Sequence, residues 1–99
     1  MASNSFAAHE RAWAEWIAQD TAPILAEQVP WPRLAGAEKG TQPLSLSELR
    51  TLQTRWHPDR FMQRFGARIP AEERDALLAR VTDVAAAVNG LVRSRATSL

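Results

Sequence analysis

The sequence contains no cysteine. Disulfides, thiolate metal sites and thiol catalysis are therefore excluded, and the absence suits a reducing compartment. No apolar run approaches the ~20 residues needed to span a bilayer, so no membrane partner is expected. The opening residues Met1-Ala-Ser-Asn-Ser-Phe lack the basic start and apolar run of a secretory signal. Glu10 and Glu15 are out of place in an acid-poor transit peptide. A nuclear or cytoplasmic location is the expectation. Internal repeats, low-complexity tracts and strand-like alternation are missing as well.

What is present fits one compact domain of 99 residues. Hydrophobic residues at 45% and charged residues at 23% match the globular average, which argues against disorder across the chain. Charge is unevenly spread. Residues 1–49 carry three basic side chains against six acids, whereas residues 50–99 carry nine arginines against five. A basic second half attracts an acidic protein surface or nucleic acid.

The pattern along the chain is helical. Ser5 is a good N-cap, and Phe6, His9, Trp13, Trp16 and Ile17 recur at three- and four-residue spacing on one face. Pro23 breaks this helix, and a short turn over Pro23–Gln28 turns Ile24 and Leu25 inward. The first helical region thus covers about 5–28. A connection over about 29–44 follows, where Pro30, Pro32, Gly36, Gly40 and Pro43 disfavour regular structure. Trp31, between two prolines, is either pinned onto the core or offered as an aromatic anchor at a surface.

A hairpin over about 45–95 closes the chain. Ser45 and Glu48 match a capping box, and Leu46, Leu49, Leu52 and Trp56 form the stripe of a second helix. Pro58 ends it by pushing His57 out of the helical region. Arg60–Phe65 forms a further helical turn before Gly66 stops it. The third helix places Pro70 at its first position and Glu72 and Glu73 in its first turn, with Arg93 and Arg95 near its end. Leu77, Val81, Val84, Val88 and Leu91 are its stripe, flanked by Leu78, Ala85 and Val92. The expected architecture is an all-α module of three helices. Helices two and three run antiparallel, with His57-Pro58-Asp59 at the tip.

An amphipathic helix, then His-Pro-Asp, then a second helix resembles the heart of the J domain. Leu49 and Leu52 sit where that family places core residues, and Trp56 where an aromatic precedes the histidine. Val84, Ala87, Val88 and Leu91 resemble its I-x-x-A-Y-x-x-L pattern. The Pro-Trp-Pro segment replaces the tyrosine-rich start of ordinary J domains. A narrower likeness covers more of the chain. Trp13 and Trp16, Val29-Pro-Trp-Pro, and the run Arg55-Trp-His-Pro-Asp-Arg-Phe-Met-Gln-Arg-Phe-Gly-Ala-Arg68 resemble the C-terminal region of NF-kappa-B inhibitor-like proteins. That resemblance implies a nuclear setting linked to innate immune signalling and pre-mRNA processing. These 99 residues contain no ankyrin repeat, so only the J-like end of that family carries over.

The candidate contact surface is His57, Pro58 and Asp59 with Arg55, Arg60, Arg64 and Arg68. The J resemblance implies that Asp59 pairs with an arginine of a DnaK-type ATPase, while His57 and Pro58 fix the turn that presents it. A local reading competes, in which Pro58 only stops a helix and Asp59 caps the next turn. Arg60, Arg64 and Arg68 share a face at four-residue spacing and suit an acidic partner or phosphates. A merely solvated face is the plainer alternative. Phe61 and Phe65 read as core plugs between helices two and three, and His9 as a satisfied core histidine. His57 and Asp59 have no nucleophile or third metal ligand in sight, so neither an enzyme nor a cofactor is expected. The expected function is a non-catalytic adaptor or regulator that binds another protein. The alternatives are a co-chaperone of a DnaK-type ATPase and a basic element of an RNA or splicing complex.

Overall fold

The computed structural model of the chain describes residues 6–19, 23–32, 34 and 44–97. The expected N-cap Ser5 and the loop residues Gly36, Gly40 and Pro43 lie outside them. Four α-helices follow in order: α1 (Phe6–Ile17), α2 (Leu46–Arg55), α3 (Pro58–Phe65) and α4 (Ala71–Thr97). Single 3-10 turns occupy Ala26–Gln28 and Gly66–Arg68. No strand occurs among the described residues, and no helix is long and apolar enough to cross a membrane. The all-α expectation holds. The described residues form four helices rather than three, because those after His57 form a helix of their own.

The start of α2 is fixed by its sequence. The Glu48 amide donates to the Ser45 hydroxyl at 3.1 Å, and the Ser45 amide donates to the Glu48 carboxylate at 2.8 Å. Two amides that the helix cannot satisfy are thereby paired. At the other end the Trp56 amide still reaches the Leu52 carbonyl at 2.9 Å. His57 then turns extended, at φ −63° and ψ 123°, as the residue before a proline must. Pro58 does more than stop α2. Its fixed φ and missing N–H suit the first position of a helix, so α3 begins at Pro58, with the Phe61 amide bonded to the His57 carbonyl at 2.8 Å.

Gly66 does not act as expected. Its backbone is right-handed helical, at φ −54° and ψ −38°, and the chain runs on as a 3-10 turn. Ile69 and Pro70 end that turn instead. The long helix α4 starts one residue later than expected, with the Pro70 carbonyl accepting from the Glu73 amide at 2.9 Å. Its 27 residues make it about 40 Å long, which sets the 42 Å long axis of the molecule.

The core draws on all four described helices. Leu49, Leu52 and Trp56 of α2, Phe61 and Phe65 of α3, and Leu77, Val81, Val88 and Val92 of α4 are all buried. Helices α2 and α3 pack on α4. Helix α1 approaches them through long side chains, chiefly the buried His9 and Trp13 and the half-buried Trp16. Polar contacts tie down the segment after α1. The Ile24 amide donates to the Arg68 carbonyl at 3.0 Å, and the Ala26 amide to the Glu73 carboxylate at 2.9 Å. The Trp31 indole donates to the Ala26 carbonyl at 2.9 Å.

Gly90 lies inside α4 on an exposed position, and a Cβ there would meet nothing within 4 Å. Glycine in a helix interior costs about 1 kcal/mol relative to alanine. Gly90→Ala is therefore expected to raise the urea unfolding free energy by roughly 0.5–1 kcal/mol, whereas Ser45→Ala should lower it by about 1 kcal/mol through loss of the cap. No gain for Gly90→Ala would show that the α4 backbone near residue 90 is not a regular, solvated helix.

Candidate interaction surface

Helices α2 and α3 meet at a corner, and an open groove of about 640 Å³ lies along it. One wall comes from α2. Arg50 and Thr54, and likewise Thr51 and Arg55, are one turn apart and face away from the buried Leu49 and Leu52. The other wall is Arg60 and Arg64 of α3. Trp13, Phe61 and Phe65 form the floor, yet only 6%, 1% and 4% of them is exposed. The groove therefore presents guanidinium groups and hydroxyls over covered rings.

Arg55 is committed within the fold. It forms an ion pair with Glu10 of α1, and its guanidinium stands 4.8 Å from the centre of the Trp13 ring. A planar, weakly hydrated cation suits both contacts at once. Its hydrogen bond, more than its charge, holds the Glu10 carboxyl below its ordinary range. Arg64 lies 5.1 Å above the Phe65 ring, while Arg50 and Arg60 have no ion-pair partner among the described residues.

The tripeptide sits at the apex of this corner, where α2 gives way to α3, and none of its residues lines the groove. His57 and Asp59 are exposed and Pro58 is half-buried. The N-cap of α3 is His57, with no side-chain capping bond, so Asp59 does not cap the helix. Asp59 lies in the first turn instead, where the helix dipole favours a carboxylate. Arg68 is placed elsewhere. Its guanidinium donates to the Gln19 carbonyl, and it does not line the groove. The strip expected from four-residue spacing thus divides: Arg60 and Arg64 face the groove, and Arg68 clamps the chain after α1. Arg50, Thr51 and Thr54 join the surface, although the sequence reading gave them no site role.

Trp31 is pinned rather than offered. Its ring stacks on Trp56 at 5.2 Å, and the Arg80 guanidinium of α4 lies 4.9 Å from it. His9 is only partly satisfied. The imidazole donates to the Pro30 carbonyl, but Nε2 is buried with no hydrogen-bond partner, as is Nε1 of Trp56. Among the described residues no group of three or more His, Asp or Glu side chains could hold a metal ion.

Burial foremost, and then the Arg55 charge, lowers the His9 pKa, with Glu10 opposing weakly. The unfolded chain therefore takes up this proton first, and the stability from neutral His9 is lost as pH falls below the ordinary 6.5. Glu10, held low, contributes above its ordinary 4.5 and loses that contribution only as pH falls further. Unfolding free energy is expected to decline as pH falls through about 6.5, and His9→Phe should flatten that decline. An unchanged slope in His9→Phe would assign it to another group.

No solved structure matches the chain. The family model for the NF-kappa-B inhibitor-like protein 1 C-terminal domain matches residues 33–96, which include α2, α3, nearly all of α4 and the whole run Arg55–Arg68. With well over half of its length matched, the chain belongs to the NF-kappa-B inhibitor-like protein 1 C-terminal domain family.

Proposed function

We propose that this chain is a non-catalytic, J-like protein-interaction module, an adaptor or regulator acting in the nucleus or cytoplasm. The observation that carries the proposal is the α2–α3 corner. There His57, Asp59, Arg60 and Arg64 stand exposed from the N-cap to the last turn of one short helix, beside an open groove. The large apolar side chains go inward, with Leu78 the exception among the described residues. A partner is therefore met mainly through charge and hydrogen bonds.

The mechanism is recruitment. Pro58 fixes where α3 begins, and α3 holds Asp59 at its start and Arg60 and Arg64 one turn apart. Each exposed pair contributes about 0.2–1 kcal/mol, so several must form together for useful affinity. Such a surface raises association rate and selectivity more than it raises affinity. Salt weakens it.

A co-chaperone reading is the second, favoured by the exposure of both His57 and Asp59 next to the end of α2. In that case Asp59 pairs with an arginine of a DnaK-type ATPase and accelerates hydrolysis.

Partner capture by cross-linking, compared among the wild-type chain, Asp59→Asn and Arg64→Glu, tests the first reading. Proteins captured by the wild type and lost with both variants are expected, with helical circular dichroism unchanged. An identical set of captured proteins in all three would overturn it. Single-turnover ATP hydrolysis by a DnaK-type chaperone separates the readings. Acceleration that disappears in Asp59→Asn replaces the adaptor by the co-chaperone.

A further inference from the structure

We infer that the groove between α2 and α3 receives an extended, Asp- and Glu-rich segment of a partner protein, an inference that rests on the interaction-module reading. Four of the side chains lining the groove are arginine and none is acidic. Glu10 offsets Arg55 from below, which leaves Arg50, Arg60 and Arg64 in excess. Arg60 and Arg64 are one turn apart on α3, and like charges at that spacing repel by a few tenths of a kcal/mol. A bound anion removes that repulsion.

The identity of the anion follows from what surrounds it. The rings of Trp13, Phe61 and Phe65 are covered, so no face is offered for a nucleic-acid base to stack on. For the same reason the groove has no deep apolar slot for the anchors of an amphipathic helix. The surplus cations stand on two different helices, so positive charge is spread along both walls rather than focused on one point. A row of carboxylates meets both walls, and guanidinium groups bind carboxylates in bidentate fashion. The Thr51 hydroxyl gives its proton to the Ser47 carbonyl at 3.3 Å, which leaves its oxygen to accept a peptide N–H. A volume of about 640 Å³ suits a short segment and not a folded surface.

The test is fluorescence anisotropy of the whole chain with a labelled peptide of alternating Glu and Gly. Its Gln counterpart, a phosphoserine peptide and a single-stranded RNA serve as comparisons. The acidic peptide is expected to bind, to weaken with rising salt, and to lose about tenfold in affinity with Arg60→Glu or Arg50→Glu. Arg11→Glu makes the same charge change on an exposed position of α1 outside the groove and should have a much smaller effect. Equal weakening by Arg11→Glu and Arg60→Glu would overturn the site. Equal binding of the Gln peptide, or tighter binding of the phosphoserine peptide or the RNA, would overturn the occupant. If the acidic peptide fails while Asp59→Asn still abolishes partner capture, the occupant falls and the interaction module stands. If neither binding nor capture depends on this surface, both fall.

Discussion

Trp56 is the side chain on which the rest of the molecule closes. It is fully buried at the C-terminal end of α2, two residues before Pro58. Trp31 stacks on it at 5.2 Å and Phe61 at 5.6 Å, while Trp13 meets it at an edge, 5.3 Å away. Through these rings one residue joins α1, the segment after it, α2 and α3. Aromatic pairs of this kind contribute about 0.5–1.5 kcal/mol each beyond their buried area. The backbone constraint lies at the same place. Pro58 ends α2 and begins α3, so the corner that carries Asp59 and the arginines is built where the aromatic cluster is anchored.

The division of the surface follows from that packing. Burying the rings brings the arginine-bearing faces of α2 and α3 outward on either side of one groove. Helix α1 supplies Trp13 to its floor and Glu10 to Arg55, although α1 has little close backbone contact with the other helices. Its hold on the rest is through the buried His9 and Trp13 and the Glu10–Arg55 ion pair, not through close backbone packing. The floor of the groove therefore depends on α1 being docked through those side chains.

Local rules made much of this legible in the sequence. The capping box at Ser45, the extended His57 before Pro58 and the stripe Leu77–Val81–Val88 on α4 are consequences of neighbouring residues, and they stand as read. The misplaced features needed information from beyond the segment or a finer account of the backbone. The helical turn expected over Arg60–Phe65 is present but longer, because the fixed φ of Pro58 starts the helix two residues earlier. Arg68 left the expected strip because Gly66–Arg68 winds as a 3-10 turn, whose three residues per turn break a four-residue register. Arg50 entered the surface only because α2 and α3 lie side by side, which spacing within one helix does not reveal. Arg55 proved committed to Glu10, 45 residues away in sequence.

The dependence of the whole on Trp56 is open to direct measurement by amide hydrogen exchange of the wild-type chain and Trp56→Leu. Leucine keeps an apolar side chain at the end of α2 but cannot reach Trp31 and Trp13. The account predicts that α1 and residues 23–32 lose protection first and most, while the centre of α4 keeps the larger part of its own. Equal loss of protection in all four helices, or none in α1, would contradict it.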